Sequence, residues 1–360
     1  MGLKHVGILL NARMHRGIPR RKTGQESISN YEEAAAEFGL LPCYLRVNDI
    51  DLHSGTTAAY IYNKYEFKRV IVPIPEVIHN RAIYEDASAH RKIQALIQQG
   101  SSIFNVNNRY GKDEMHRYLR ANPFISHYLP DTAIITPSTL RRFMENYDDL
   151  ILKPCRGSVG RGVMRLQKSH AGWKITYVSS LKPGNWLTTR LRGEEFPPAV
   201  KHRLSLTPYL VQERIPLAEY DGRSFDLRVT VQRGIQAEWA VTGMFAKRSA
   251  AGIFISNLAG GGSASSAYSQ LSEVMPSLQA MSVLAEVEHL SLAIASYLAS
   301  HLPLLADLGL DIGVTAQGHI YFIECNGRDQ RYGFNKAGMS GTWKATYRQP
   351  MAFARYLLNQ

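Results

Sequence analysis

Three oxygen-bearing side chains near the C-terminus, Asp311, Glu324 and Asn326, have types and spacing that suit a divalent cation. Glu324 and Asn326 lie two apart in the run Ile320-Tyr321-Phe322-Ile323-Glu324-Cys325-Asn326, so a strand there puts both on one face. Asp311, in Gly309-Leu310-Asp311-Ile312-Gly313, would come from the preceding strand of a hairpin turned at Gln317-Gly318. Carboxylate and amide oxygens are ligands of Mg²⁺, which usually completes its shell with water and substrate phosphates. A protein set this sparse therefore implies a nucleotide bridging the rest. Taken alone, an acidic hairpin is more often a solvated surface, and what changes that reading lies upstream.

The stretch Lys153-Pro154-Cys155-Arg156-Gly157-Ser158-Val159-Gly160-Arg161-Gly162-Val163 reads as a strand, a glycine-rich loop and a second strand-like run. Glycines let backbone N–H groups approach a phosphate, while Lys153 and the loop arginines supply charge. No Gly-Lys-Ser/Thr closes it and no helix follows at once, so it is neither a Walker loop nor a dinucleotide fingerprint. By itself such a hairpin is more often only a turn. Cys325, between two of the proposed cation ligands, should face the opposite side of its strand and pack in the core. His79, His90, His116, His127 and His319 are scattered, and none is assigned as a general base.

The elements that must position these groups follow from periodicity. Val6 to Leu10, Pro42 to Val47 and Arg69 to Ile74 read as buried strands and Tyr31 to Phe38 and Tyr84 to Gln98 as helices, a small α/β layer with parallel strands over residues 1–106. Its strand-end loops would carry Asn11, Arg13, Asn80 and Arg81 into the crevice where ligands of open α/β sheets sit, as contacts to a substrate carboxylate. A second unit, 107–208, takes in a helix opened by Thr136-Pro137-Ser138, the strand Leu150 to Lys153, the glycine loop and a proline-punctuated, partly helical excursion over 181–208. A third, 209–360, holds the strands Leu210 to Gln212 and Leu227 to Val231. It continues with the glycine- and serine-rich stretch Ala259 to Ser266, a helix from about Leu284 to Leu302, and the final hairpin.

Composition narrows the partners. The chain has 360 residues, 45% of them hydrophobic, with 42 basic against 30 acidic residues and a formal charge of +12, so its field attracts anions such as nucleotides and acidic peptides. The basic cluster Arg13 to Lys22 comes with no recognised nucleic-acid module, which leaves nucleic acid a weak third choice. No run of about 18 apolar residues and no cleavable leader is read, so a cytoplasmic, membrane-free protein is expected. Cys43, Cys155 and Cys325 are isolated and odd in number, indicating neither a disulfide framework nor a zinc site.

In order along the chain come Lys112, Lys153 with the flap Arg156 to Gly162, Gln212-Glu213-Arg214-Ile215 and Asp226-Leu227-Arg228. Lys247-Arg248, Asn257 with Gly260-Gly261-Gly262, and finally Asp311, Glu324 and Asn326 complete the series. This order resembles the ATP-grasp ligases over roughly residues 107 to 335. Asn80-Arg81, Tyr110-Gly111-Lys112, Gln212 to Leu217 and Ile255-Ser256-Asn257-Leu258-Ala259 look most like the spore-coat-associated YheC/YheD branch of endospore-forming bacteria.

The resemblance implies an α/β (α+β) ATP-grasp fold with a Rossmann-like pre-ATP-grasp domain and two α+β subdomains clasping the nucleotide. It implies ATP and Mg²⁺ as cofactors. Lys112 and Lys153 would meet the α- and β-phosphates, and Arg156, Gly157, Ser158, Gly160 and Gly162 would close over the β/γ end. Backbone groups of Gln212, Glu213 and Arg214 would pair with adenine, Ile215 would pack on its face and Asp226 would hold the ribose. Asp311, Glu324 and Asn326 would bind the metal, and Arg228, Arg248 and Asn257 would point at the γ-phosphate and the carboxylate. For the two arginines a strand-face salt bridge is the alternative. The implied reaction joins a carboxylate and an amine through an acyl phosphate, with an amino acid or peptide as acceptor, and the basic surface leans towards an acidic one. A coat-associated protein without turnover and a kinase on the same fold are the other two classes.

Overall fold

The computed structural model describes residues 3–157, 160–179, 184–193 and 195–360. Its first sheet is seven-stranded, with Lys4–Leu9 central and parallel to Leu40–Leu45 on one side and to Val77–Asn80 on the other. Ser102–Phe104 extends the parallel layer beyond Val77–Asn80. The helices come out as Ile28–Glu37 and Ala87–Gln98, started where Ser27 accepts from the Asn30 N–H and Asp86 from the Ala89 N–H. The third expected strand differs. Phe67–Pro73 is an antiparallel ribbon on Thr56–Tyr62, with Val70 and Ile71 37% and 70% exposed, because a β-branched run reads alike whether it is buried or at an edge.

The second sheet runs in the order Trp186–Arg190, Gly172–Val178, Met164–Ser169, Asp149–Pro154, Tyr209–Glu213, Thr132–Ile134, antiparallel throughout. Of the excursion over 181–208, residues 181–183 and 194 lie outside the described residues, and the rest contributes an edge strand and the helix Pro198–Leu206. Because Tyr209–Glu213 pairs with Asp149–Pro154, a boundary at 208/209 would cut through this sheet.

The third sheet places Ser263–Ser266, Trp239–Arg248, Arg223–Arg233, Asp307–Val314 and Ile320–Asn326 in antiparallel order. The helix Ser277–Ala299 is long and apolar enough to cross a membrane by length and composition. Here Val283, Val287, Leu290, Ile294 and Leu298 bury into one core with Leu227, Val229, Leu310 and Ile312. Met115 and Leu119 of the helix Lys112–Arg120 join that core, so residues 112–120 pack with the third unit although they precede the second sheet. The C-terminal helix Ser340–Leu357 returns to the first sheet, where Tyr347, Met351 and Phe353 cluster with Val6, Ile8 and Tyr31.

The first and third units are also joined by buried ions. Arg81, 1% exposed, donates through Nε and Nη2 to Glu26 Oε1 at 3.0 and 2.7 Å and through Nη1 to Asp307 Oδ2 at 3.3 Å. Arg331, equally buried, ion-pairs with Asp307 as well.

Candidate functional site

An open cleft of about 1360 Å³, its mouth included, lies between the second and third sheets. It brings together fourteen residues whose types and spacing suit such a site: Lys112, Lys153, Gly157, Gly160, Gln212, Glu213, Arg214, Ile215, Asp226, Arg228, Asn257, Asp311, Glu324 and Asn326. Elements from both sheets are needed because no single strand carries more than a few of these groups.

The expected hairpin forms at its expected turn: the Gly318 N–H donates to the Thr315 carbonyl and Gly318 takes φ +88°, a left-handed conformation natural to glycine. Asp311 and Glu324 are register partners across it. The register then shifts, Ile312 facing Phe322, so Ile323 becomes an extra residue and reaches the cleft beside Glu324. Cys325 is 9% exposed and joins the core, as alternation requires.

The carboxylates are held by cations. Arg228 spans two of them, with Nε and Nη2 donating to Asp311 Oδ1 and Oδ2 at 2.6 and 3.2 Å and Nη1 donating to Asp329 Oδ1 at 2.9 Å. Lys247 Nζ lies 3.0 Å from Asp226 Oδ1 and 2.9 Å from Asp311 Oδ1. Lys112 Nζ lies 2.8 Å from Glu324 Oε1 and donates to the Gly157 carbonyl at 3.2 Å, tying the flap to the hairpin. Burial pushes the Asp226 carboxyl up to about 6 against the pull of Lys247, whereas Arg228 and Lys247 overcome burial at Asp311 and hold it below the usual range. Burial lowers Lys153 to about 8, opposed by Glu324.

The donor set fits Mg²⁺. Two carboxylates and an amide converge from one strand pair, and Asn326 Nδ2 is buried with no hydrogen-bond partner among the described residues. That amide can present its oxygen to a cation without breaking a hydrogen bond of its nitrogen.

Several expected residues lie elsewhere. Arg248 faces away from Lys247, as strand alternation dictates, with its guanidinium 5.5 Å from the Tyr220 ring centre and Nε donating to Ser263 Oγ at 3.3 Å. Neither Arg156, which is exposed, nor Gly162 lines the cleft; Gly162 instead receives the Tyr209 hydroxyl on its carbonyl at 3.1 Å. Ser158 lies outside the described residues. The Glu213 and Arg214 N–H groups are already donated to the Asp131 and Asp149 carbonyls, so they are not available to a base edge. On the first sheet, Arg81 and Asn80 are 1% exposed and spent on internal bonds, with Asn80 Nδ2 donating to the Asn105 carbonyl at 3.1 Å. Asn11 brackets Ile83, accepting its N–H at 3.2 Å and donating to its carbonyl at 2.8 Å, and Arg13 is exposed on a short helix outside the cleft. Of these four, Arg81 and Asn11 reach the third unit, through Asp307 and Arg328, while Asn80 bonds within the first, and none of the four lines the cleft.

Three groups were not singled out as site residues. Sequence alone does not choose between Lys247 and Arg248, and the register of Asp226 opposite Lys247 makes Lys247 the one that faces the carboxylates. Asp329, 1% exposed and bonded by Arg228 and the Thr230 hydroxyl, has no local signal because its partners are about a hundred residues away. Phe254, which lines the cleft, packs edge-on against Trp186 with ring centres 4.9 Å apart and links the 249–262 loop to the second sheet.

A nucleotide-sized cleft between two antiparallel sheets, with a glycine flap on one and an acidic hairpin on the other, defines an ATP-grasp fold. Solved structures agree on the fold. D-cycloserine synthetase DcsG aligns with a TM-score of 0.56 at 14% identity over 98% of this chain and 99% of that one. The ATP-grasp ligase PsnB, complexed with a phosphomimetic variant of its minimal precursor, Mg and ADP, aligns with a TM-score of 0.52 at 15% identity over 97% and 100%. The YheC/D like ATP-grasp family model matches residues 100–357, and the chain belongs to that family. Endospore coat-associated protein YheD of Bacillus subtilis (strain 168) is 22% identical over 86% of this chain and 69% of its own length.

Proposed function

We propose that this protein is a Mg-ATP-dependent carboxylate–amine ligase that forms ADP and phosphate. The single observation that carries the reading is the convergence in one cleft of Lys112, Lys153, the flap glycines, Arg228 and the oxygen donors Asp311, Glu324 and Asn326. Phosphoryl transfer is catalysed mainly by positioning and charge neutralisation, and these residue types supply both. The neighbour solved with Mg and ADP supports the choice of cofactors.

In this reading Ile151, Ile215, Leu217 and Ile323 provide the apolar walls for the base, and Lys112 and Lys153 neutralise the polyphosphate. Asp311, Glu324 and Asn326 would hold the magnesium, which when bound supplies further neutralisation of the phosphate oxygens. Arg228 directs the carboxylate and the γ-phosphoryl group towards each other. A carboxylate oxygen forms a bond to the γ-phosphorus as the bond to the β–γ bridging oxygen breaks, releasing ADP. The amine then attacks the acyl carbon, the acyl C–O bond breaks, phosphate leaves, and the amine gives up a proton. Closure of the flap against the 249–262 loop would keep water from the acyl phosphate. Gly160 already approaches Ile255 so closely that a Cβ there would sit 3.2 Å from its Cγ2.

Titration calorimetry with ADP and Mg²⁺ tests this. Binding should require the metal and weaken in Glu324→Gln by at least the roughly 10–100-fold that disturbing a metal's outer-shell partners costs, since Glu324 is a direct ligand in this reading. Metal-independent binding would refute the metal role of Asp311, Glu324 and Asn326, and no binding by the folded wild-type chain would refute the nucleotide site. Lys153 sets the pH dependence. Its ammonium is lowered to about 8, so it is charged below that pH and neutral above it, and polyphosphate must draw the proton back. ADP affinity should fall above pH 8 with net proton uptake, read from heats in buffers of different ionisation enthalpy, and Lys153→Met should flatten that profile.

A non-catalytic role is the second reading, favoured by the coat-associated name of the curated relative. Trapping by hydroxylamine separates the two, because a hydroxamate forms only where the carboxylate has been activated, and its formation with release of ADP instead of AMP marks the acyl phosphate.

A further inference from the structure

Arg328 follows the metal-type hairpin by two residues, and both its near neighbours are clamped. A Cβ on Gly327 would sit 2.8 Å from the Tyr110 ring and 3.0 Å from Asn108 Cα, so the chain there is pressed flat against the 107–110 loop. On the other side Asp329 is held by Arg228 and Thr230, and its carbonyl accepts from Arg81 Nη2 at 2.7 Å. Between these anchors Arg328 projects to the first unit, where Nη1 donates to Asn11 Oδ1 at 3.1 Å and lies 3.5 Å from the Arg81 carbonyl.

Asn11 lies two residues beyond Lys4–Leu9 and Arg81 directly follows Val77–Asn80, adjacent parallel strands paired through Leu9 and Asn80. From Lys4–Leu9 the chain passes to Leu40–Leu45 on one side, while Val77–Asn80 lies on the other. The gap between their ends is therefore the switch point of the sheet, where open α/β sheets bind ligands.

Unlike its neighbours, Arg328 has no carboxylate within ion-pair distance among the described residues. Glu26 is taken by Arg81, Asp307 by Arg81 and Arg331, and Asp329 by Arg228. Three guanidinium groups, Arg81, Arg328 and Arg331, thus share two carboxylates, Glu26 and Asp307, and among the described residues Arg328 is the one of the three without a direct ion pair. Among the described residues one arm of the Arg328 fork is used, on neutral oxygens, and a half-buried guanidinium with further donors suits a planar, charged acceptor.

We propose that Arg328, oriented by Asn11, anchors a carboxylate of an acidic amino-acid or peptide substrate at the switch point of the first sheet. It takes the place that the sequence reading gave to Arg13 and Arg81. The inference rests on the ligase reading for its meaning, since the anchored molecule would reach from this point to the cleft lined by Asn326 and Gln330.

The test is titration of the full chain with triglutamate, with free L-glutamate and with the neutral peptide trialanine amide, each with and without ADP and Mg²⁺. Wild type should bind an acidic ligand and not trialanine amide. Arg328→Gln should weaken that binding tenfold or more, Arg328→Lys should restore part of it, and Arg120→Gln, a charge loss on an exposed helix position, should leave it unchanged. Arg328-dependent binding of L-glutamate points to an amino-acid ligand, and of triglutamate alone to a peptide; either upholds the site. Equal binding by Arg328→Gln and wild type, or no preference for the acidic ligands over trialanine amide, overturns it. ADP affinity in the same samples reports separately: its absence in wild type sinks the ligase reading while Arg328-dependent carboxylate binding stands. Its persistence in Arg328→Gln shows that the variant is folded.

Discussion

Asp307→Asn is expected to cost about 3–5 kcal/mol of folding stability at neutral pH, the scale for removing one member of a buried ion network. The substitution keeps the shape and deletes the charge, so Arg331 and Arg81, both 1% exposed, lose their shared counter-ion in a site that water does not reach. Gln232 also donates to Asp307 Oδ1, at 3.2 Å, which ties the loss to the third sheet. Burial alone would raise the Asp307 carboxyl, but Arg331, His79 and Arg81 outweigh it and hold it well below the usual range. A depressed carboxyl contributes stability that is present above its unfolded value near 4 and lost as pH falls through its folded value. The gap between wild type and variant should therefore be full at pH 7 and shrink in acid. His79 adds a second acid sensitivity. Burial lowers it to about 4, so between about 6.5 and 4 the unfolded chain takes up a proton that the folded chain refuses, and stability declines with pH through that window. Urea midpoints from pH 3 to 8 measure both, and a pH 7 difference under about 1 kcal/mol would show that the network does not cement the two units.

What was legible in the chain depended on how far apart the partners lie. Glu324 and Asn326 share a strand, and the turn at Gln317-Gly318 is local, so period-two alternation was enough to place them. The helix opened at Thr136 was likewise marked by its own residues, Thr136 accepting from the Thr139 N–H and Thr139 from the Thr136 N–H. Arg81 defeated the same logic. A polar residue at the end of a parallel strand reads as a ligand contact, and nothing nearby announces that Glu26 and Asp307 will close around it. Arg248 failed for a different reason, since two adjacent cations on a strand must face opposite ways and only the pairing of Asp226 with Lys247 says which faces inward. The strand Tyr209–Glu213 follows a long excursion and yet returns to the second sheet, a choice made by the partner strand Asp149–Pro154 and invisible in its own residues.

Arg228→Lys should reduce ADP-forming turnover by about 10²–10³-fold, the scale of losing one preorganised donor to developing charge, while leaving ADP affinity nearly unchanged. The argument is geometric. Arg228 meets Asp311 through two nitrogens and Asp329 through a third, so its fork is fixed in plane and direction by two carboxylates on different elements. Gly309 leaves room for this, since a Cβ there would lie 2.3 Å from Asp329 Oδ1 and 3.0 Å from Arg228 Nη1. Lysine keeps the charge but has one nitrogen, which cannot hold both carboxylates in that plane and still present a donor to a phosphoryl oxygen. Lys112, Lys153 and the apolar walls, which bind the nucleotide in this reading, are untouched by the change. The loss should therefore appear in the rate of ADP release at saturating ATP and not in the calorimetric affinity for ADP. A variant that turns over like wild type would reduce Arg228 to the strand-face salt bridge that is its structural alternative. A variant that loses ADP binding in step with turnover would make it a part of the nucleotide site instead of the reacting centre.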